Sequence, residues 1–161
     1  MIDYRKKTIT KGQQQLRCGY TTGTCAAAAA KAAAVALLTG KICRDVAICL
    51  PGGENILLET ETLEHQKNCV KCGVIKDAGD DPDITNGLMI CAAVEKNTSG
   101  EICIDGGEGV GRVTQPGLDQ PVGAAAINSV PRKMIQEAVE SVCQQYHYTE
   151  GLRVTISIPK G

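Results

Sequence analysis

The sequence predicts an α+β fold, a two-layer sandwich in which two main helices pack on one mainly antiparallel or mixed sheet of about five to six strands. Two helix-like segments flank a row of strand-like runs, and a further run follows the second helix. No pattern of helical length separates the runs in that row, which disfavours a doubly wound parallel sheet. We place this single domain at residues 16–161, after a polar segment, 1–15, that lacks periodicity and is expected to be a flexible arm.

The first helix is predicted near 24–39. Alanine, the strongest helix former, occupies nine positions in the apolar run 25–38. Thr22 or Thr24 can cap this helix, and Gly40 can end it. The run is shorter than the roughly 18–20 residues that cross a bilayer, so we expect no membrane span. Its small side chains allow another backbone, or a flat ligand, to approach closely.

The remaining elements follow from alternation and from turn residues. The turn residues Pro51-Gly52-Gly53 predict a hairpin that joins the first two strands. A glycine-rich loop is predicted over 106–123, and a second helix near 130–145, which Ser129 can cap and Pro131 can start. The predicted strands are 46–50, 56–59, 70–75, 88–94, 102–104 and 154–158.

Composition narrows the function classes. The chain has no Phe or Trp and only four Tyr, so an aromatic platform for stacking bases is excluded. Its net charge of −1 gives no basic footprint, and we expect no nucleic-acid partner. The nine cysteines are odd in number, and several lie in apolar runs. We interpret most of them as buried thiols of a cytoplasmic protein.

A hydroxyl-rich segment, Gly19-Tyr20-Thr21-Thr22-Gly23-Thr24, directly precedes the alanine helix. The first turn of a helix has unpaired N–H groups and a partial positive charge, which together favour anions. The threonines at 21, 22 and 24 can therefore either cap the helix or form an anion pocket, and the pattern leaves both interpretations open.

An acidic segment, Lys76-Asp77-Ala78-Gly79-Asp80-Asp81-Pro82-Asp83, ends the third predicted strand. Four carboxylates so close together repel one another unless a cation, a ligand or water relieves them. A calcium EF-hand does not fit, because Asn86 and Ala92 stand where that loop needs Gly and Glu. A general base, polar contacts to a ligand, or a solvated acidic turn are the interpretations left.

Gly106-Gly107-Glu108-Gly109-Val110-Gly111-Arg112 resembles a phosphate loop but has neither the dinucleotide spacing nor a following Gly-Lys-Ser/Thr. Arg112 can hold a carboxylate through two parallel hydrogen bonds. His65, Cys69 and Cys72 are weak evidence for zinc, since no second pair lies at finger spacing, and we predict no metal site.

Four segments resemble the motifs of one family, the CbiD family of cobalt-precorrin-5B C(1)-methyltransferases in anaerobic cobalamin biosynthesis. The similarity runs from about Leu16 to Pro159. Its departures are Asn86, where a histidine is expected in many members, and the end of the chain before the second, Rossmann-like domain of the family. The segments that carry the resemblance are Leu16-Arg17-Cys18-Gly19-Tyr20-Thr21-Thr22-Gly23-Thr24-Cys25, Lys76 to Thr85, Gly106 to Leu118, and Asn128 with Val130 to Ile135.

The resemblance implies an enzyme that transfers a methyl group from S-adenosylmethionine to C-1 of cobalt-precorrin-5B, giving cobalt-precorrin-6A. Cobalt would enter only as part of this tetrapyrrole substrate, and the donor would bind mainly the second domain. Asp77, Asp80 or Glu108 would take the proton that the substrate loses. The residues expected to contact the substrate are Thr21, Thr22, Gly23, Thr24, Asp81, Asp83, Gly107, Gly109, Gly111, Arg112, Asn128, Arg132 and Lys133.

Two functions therefore remain open for this chain. It is either the incomplete, inactive part of such a methyltransferase or a non-catalytic module that binds or assembles the corrinoid for a partner. The resemblance leaves open whether the chain forms a homo-oligomer. In either case we expect segments 21–24, 77–83 and 106–112 to converge on one surface, because each lies at the end of a regular element.

Overall fold

A computed structural model describes residues 8–11, 14–17, 20–77, 87–117 and 120–159. It confirms the predicted α+β class, with two helices and a main five-stranded sheet. The helices are α1 (Thr22–Thr39) and α2 (Ser129–Gln145). The strands are β1 (Thr8–Lys11), β2 (Gln14–Arg17), β3 (Asp45–Cys49), β4 (Asn55–Glu59), β5 (Glu61–His65), β6 (Cys69–Ile75), β7 (Met89–Lys96), β8 (Ile102–Gly106) and β9 (Leu152–Ser157).

The main sheet has the strand order β5-β6-β7-β9-β8. Its neighbours are antiparallel except for β8 and β9, which run parallel. A parallel pair needs a crossover connection, and α2 with the long loop before it provides one. The sheet is therefore mixed, and its strands β8 and β9 meet the cleft described below at one end.

The predicted hairpin is confirmed as β3 and β4, which pair separately from the main sheet with Ile48 opposite Ile56. Strand β5 was not predicted. Its sequence, Glu61-Thr62-Leu63-Glu64-His65, has one apolar residue and no buried position, which is typical of an exposed edge strand. Its pairing with β6 also shifts register between Thr62 and Glu64.

The predicted arm, residues 1–15, is described in part, and there it differs from the prediction. Strands β1 and β2 form an antiparallel hairpin with Ile9 opposite Leu16. Backbone pairing of this kind does not need a periodic apolar pattern, so the sequence carried no signal for it.

Helix α1 lies at the centre of the core. Every alanine in it is buried, and it packs against α2, β6, β7 and the β3–β4 hairpin. It has the length and composition of a membrane-spanning helix, but 67% of its 18-residue window is buried in the protein, as in a core helix. Because it is surrounded on several sides, its sequence is apolar all round rather than along one stripe.

The helix starts differ by one residue or more from the predictions. Thr21, not Thr22 or Thr24, is the N-cap of α1, since its backbone is extended and its side chain accepts from the N–H of Thr24. Gly40 ends the helix as predicted, with φ 78°. Asn128, not Ser129, is the N-cap of α2, and the Asn128 side chain makes no capping hydrogen bond.

The eight described cysteines are free thiols. Only Cys25, Cys72 and Cys91 are buried, whereas Cys49 and Cys103 are exposed, so the prediction that most are buried was wrong. The other three are half-buried: Cys43 in the segment between α1 and β3, Cys69 at the start of β6, and Cys143 in the last turn of α2.

We expect these environments to control thiol reactivity. Burial raises the pKa of Cys25 to about 12, with nearby Lys76 lowering it and Asp77 raising it. Because the thiolate is the nucleophile, iodoacetamide at pH 8 should label Cys49 and Cys103 within minutes and leave Cys25 unmodified in the folded chain. Peptide mass mapping measures this, and labelling in urea is the control that all three sites can react. Early modification of Cys25 in the folded chain would contradict the packing of α1.

Candidate functional site

The first turn of α1 is organised by its own threonines. Thr21 Oγ1 accepts a hydrogen bond from the backbone N–H of Thr24 at 3.0 Å, and the two hydroxyl oxygens lie 2.8 Å apart. Thr24 is also buried. Capping therefore accounts for the hydrogen bonds of both residues, although Thr21 is exposed and both border a separate pocket of about 320 Å³ beside the turn Pro51-Gly52.

The end of β6 is bonded to this turn. Lys76, which is only 3% exposed, donates from Nζ to Thr22 Oγ1 at 2.8 Å. The backbone N–H of Tyr20 donates to the carbonyl oxygen of Asp77 at 2.6 Å. Two of the predicted segments therefore meet here. The predicted carboxylates Asp80, Asp81 and Asp83 lie outside the described residues.

The glycine-rich loop is fixed against the end of β9. The N–H of Gly107 donates to the carbonyl oxygen of Ile156 at 2.8 Å, and the N–H of Ile158 donates to that of Glu108 at 2.8 Å. Gly109 then adopts φ +75°, and a Cβ on it would collide with the carbonyl oxygen of Ile158. The loop is thus held by backbone contacts that only glycine permits at this position.

A cleft of about 250 Å³ lies between this loop and the starts of both helices. We call it the cleft throughout. Thr22 and Gly23 of α1 form one side of it, and Gly109 and Gly111 form another. Asn128, Pro131 and apolar residues from both helices, the loop and the end of β9 complete the lining. Segments 21–24 and 106–112 therefore share this cleft. Of segment 77–83 only Asp77 is described, and it contacts Tyr20 through its backbone without lining the cleft.

The two helix starts touch at the cleft. A Cβ built on Gly23 would lie 2.7 Å from the Cβ of Pro131, which is closer than side-chain atoms approach. Both helix starts therefore border the same small volume, and the partial positive charge at a helix N-terminus favours an anionic group there. Neither helix has an acidic residue in its first turn to neutralise that charge.

We expect Gly23→Ala to destabilise the protein, against the helix propensities. Alanine at an ordinary helical position would stabilise by up to about 1 kcal/mol relative to glycine. Here the added methyl must displace Pro131, and overpacking of that kind costs about 1–3 kcal/mol. Urea unfolding would measure the loss. Gly52→Ala, at a turn position with open space around it, is the control, and equal stability changes in the two variants would contradict the contact.

Arg112 does not line the cleft. Its Nη1 donates to Asp105 Oδ1 at 2.6 Å, and its Nη2 donates to the carbonyl oxygen of Gly106 at 3.0 Å. The guanidinium, with the N–H of Gly106, lowers the pKa of Asp105 below its ordinary value. This pair is therefore intact at neutral pH and is lost only as the pH falls through the lowered pKa. Arg112 therefore makes its carboxylate contact with Asp105 of the same chain.

The two other predicted cations do not line the cleft either. Arg132 donates to three backbone carbonyl oxygens and is half-buried. Lys133 is exposed on α2, where its Nζ lies 3.9 Å from Glu137 Oε1 one turn further on. A pair this exposed contributes little.

The candidate bases lie outside the cleft as well. Asp77 lines a larger, open hollow of about 1090 Å³ between the β3–β4 hairpin and the β5–β6 edge of the main sheet. Glu108 is exposed and adjoins Gly109 of the cleft wall. The hollow exceeds the cleft in volume, but most of its lining comes from outside the four motif segments. We therefore centre the site on the cleft.

Sequence reasoning missed the apolar half of the lining. Ile156 and Ile158 line the cleft beside Ile127 and Ile135. In the sequence the first two belong to a strand that alternates like any half-buried strand, so nothing marked them. Pro131 was interpreted only as a helix starter, and its contact with Gly23 depends on how α1 and α2 pack.

The fold and the cleft define an α+β domain with a glycine-walled site between two helix starts; among the described residues no group of three or more His, Cys, Asp or Glu side chains could hold a metal ion. A family model described as CbiD matches residues 9–161. The chain belongs to the CbiD family.

Individual relatives agree. A cobalt-precorrin-5B C(1)-methyltransferase of Ruminiclostridium cellulolyticum is 50% identical over 153 residues, covering 95% of this chain and 40% of the relative. One of Priestia megaterium is 45% identical over 155 residues, covering 96% and 42%. The crystal structure of the cobalamin biosynthesis protein CbiD from Archaeoglobus fulgidus matches with a TM-score of 0.68 and 31% identity, covering 96% of this chain and 48% of that one. The chain thus spans about 40% of the length of these curated relatives.

Proposed function

We propose that this chain is the part of a cobalt-precorrin-5B C(1)-methyltransferase that binds the substrate through its carboxylate side groups. Membership of the CbiD family supports the activity, and the cleft supports the division of labour. Its volume of about 250 Å³ lies below the roughly 300–1,000 Å³ of pockets that enclose a whole ligand. It therefore suits one acetate or propionate arm rather than the macrocycle.

Physical chemistry supports the same assignment. The first turn of α1 contributes Thr22 and Gly23 to the cleft, and the partial positive charge at that helix end favours a carboxylate. Gly109 and Gly111 add no side chains to the opposite wall on either side of Val110, so the edge of a flat ring can approach the backbone at these two positions. Asn128 borders the cleft with a side chain that its own helix does not use, and we assign it a contact to the bound group.

The methyl donor in this proposal is S-adenosylmethionine, which supplies a methyl group on a sulfonium sulfur. The cleft is too small to enclose the donor together with a carboxylate arm, so the residues that line it do not fit a complete donor site. The contribution proposed for this chain is to bind and orient the acceptor, which supplies much of the rate in a transfer that depends on positioning. For the proton that the acceptor loses, the position of Glu108 next to Gly109 supports it over Asp77 as the accepting carboxylate.

A titration with cobyrinic acid, a cobalt corrinoid with free carboxylates, tests this proposal. We expect the 161-residue chain to bind it and to bind the heptamethyl ester at least about tenfold more weakly, because charged acceptors form hydrogen bonds worth about 1.5–3 kcal/mol. Added salt should reduce the difference. Arg112→Ala is the control variant, since Arg112 is paired with Asp105 outside the cleft. Equal affinity for acid and ester would contradict carboxylate recognition.

The alternative, a non-catalytic corrinoid-binding module, is favoured by the small cleft. Titration with S-adenosylmethionine, together with a methyl-transfer assay, separates the two. We expect corrinoid binding without turnover by the 161-residue chain alone. Turnover by this chain would overturn the division of labour, and donor binding without turnover would favour the enzyme over the module.

A further inference from the structure

Arg132 joins three parts of the fold through one side chain. From the first turn of α2, its Nε donates to the carbonyl oxygen of Ile127 at 2.6 Å and its Nη2 donates to that of Ala125 at 2.9 Å. Its Nη1 lies 3.4 Å from the carbonyl oxygen of Ile104 on β8. One guanidinium therefore connects α2, the segment that precedes it and an edge strand of the main sheet.

The segment that Arg132 holds is a wall of the cleft. Arg112 and Ala125 form an antiparallel bridge, and the N–H of Ala126 donates to the carbonyl oxygen of Gly111 at 2.8 Å. Gly111, Ala126 and Ile127 all line the cleft. The Arg132 contacts thus hold two paired segments in place, 111–113, which carries Gly111, and 124–127, which leads into Asn128.

Charge and geometry explain why an arginine is needed here. Ala125 and Ile127 are buried, so a hydrogen bond from Arg132 that is lost there is not readily replaced by one from water, although the Ala125 oxygen also accepts from the N–H of Ile127 at 2.8 Å. The planar guanidinium offers five N–H donors in a fixed fork, whereas the lysine ammonium is a compact charge whose donors rotate. Lysine would keep the charge without spanning these carbonyls.

We infer that Arg132 is a positioning residue that sets the separation between the paired segments 111–113 and 124–127 and the start of α2, and that it does not contact the substrate itself. This inference rests on the proposed function for its ligand. It replaces the prediction that Arg132 binds substrate carboxylates directly, because its donors are directed at the protein backbone.

Two variants and a control test the inference. Arg132→Lys keeps the charge and Arg132→Met removes it, while Lys67→Met removes an exposed charge in the turn before β6. Hydrogen exchange of the Ala126 and Val113 amides should become about tenfold faster in both Arg132 variants, with β6 and β7 amides unchanged. Lys67→Met should match the wild type.

Cobyrinic acid titration at several salt concentrations gives the second measurement. We expect about tenfold weaker binding in both Arg132 variants, with the wild-type salt dependence retained, because no charge–carboxylate contact is removed. Wild-type affinity or exchange in Arg132→Lys, or a shallower salt dependence in Arg132→Met, would overturn the inference. If the wild type itself does not bind cobyrinic acid, the proposed function fails while the exchange measurement still tests the role of Arg132.

Discussion

Replacing Gly109 with alanine is expected to give the largest loss of stability of any single methyl addition in the cleft. An L side chain at φ +75° costs about 1–2 kcal/mol. The added Cβ would also collide with the carbonyl oxygen of Ile158, which is main chain and cannot move without disturbing β9. Overpacking adds about 1–3 kcal/mol to this cost. Either the loop moves away from β9, or the free energy of unfolding falls by the sum of the two costs.

Urea unfolding and cobyrinic acid titration would measure the two consequences. Gly40→Ala is the matched control: its φ of +78° is nearly the same, but nothing lies within 4 Å of the added methyl. It should lose only the conformational part and keep wild-type binding. Similar losses in the two variants would mean that the loop is not held against Ile158.

Enlarging one alanine of α1 is the second change with a large expected effect. Ala33 has no exposed surface and lies in a helix that packs against α2, the main sheet and the β3–β4 hairpin. Ala33→Leu would insert three carbon atoms where no neighbour can withdraw, at a cost of about 1–3 kcal/mol. For a chain of this size that corresponds to a melting temperature lower by about 2–12 °C.

Ala138→Leu makes the same chemical change on α2, where Ala138 is half-buried and the longer side chain can turn towards solvent. Calorimetry should find a much smaller loss for this variant. A melting temperature of Ala33→Leu equal to that of the wild type would show that α1 is less tightly enclosed than described.

Much of the fold could be predicted because most elements carry their own local signals. Alanine content and Gly40 marked α1, apolar runs bounded by turn residues marked the strands β3, β4, β6 and β7, and alternation marked β9. Strand β5 carried no such signal, because an edge strand exposed on both faces has no apolar pattern. The bonding of β8 beside β9, which no local pattern specifies, depends on where α2 crosses the sheet.

The site was predictable as a set of segments but not as a set of contacts. Thr22, Gly23, Gly109, Gly111 and Asn128 do line one cleft, as the clustering of element ends predicts. The cations were assigned from charge alone, and charge does not distinguish a side chain facing a ligand from one facing a backbone carbonyl. That distinction depends on the pairing of Arg112 with Ala125, two residues that are far apart in the chain.

The alanines of α1 have a consequence for the entropy of binding. An alanine side chain has no rotamers to lose, so fixing it in place costs no side-chain entropy. A helix built from such residues cannot repack around an incoming molecule, and the turn at Thr22 and Gly23 therefore keeps one position relative to the main sheet. A ligand that binds beside this turn would order only itself and the facing segments 111–113 and 124–127. The wall formed by α1 is therefore a preorganised surface.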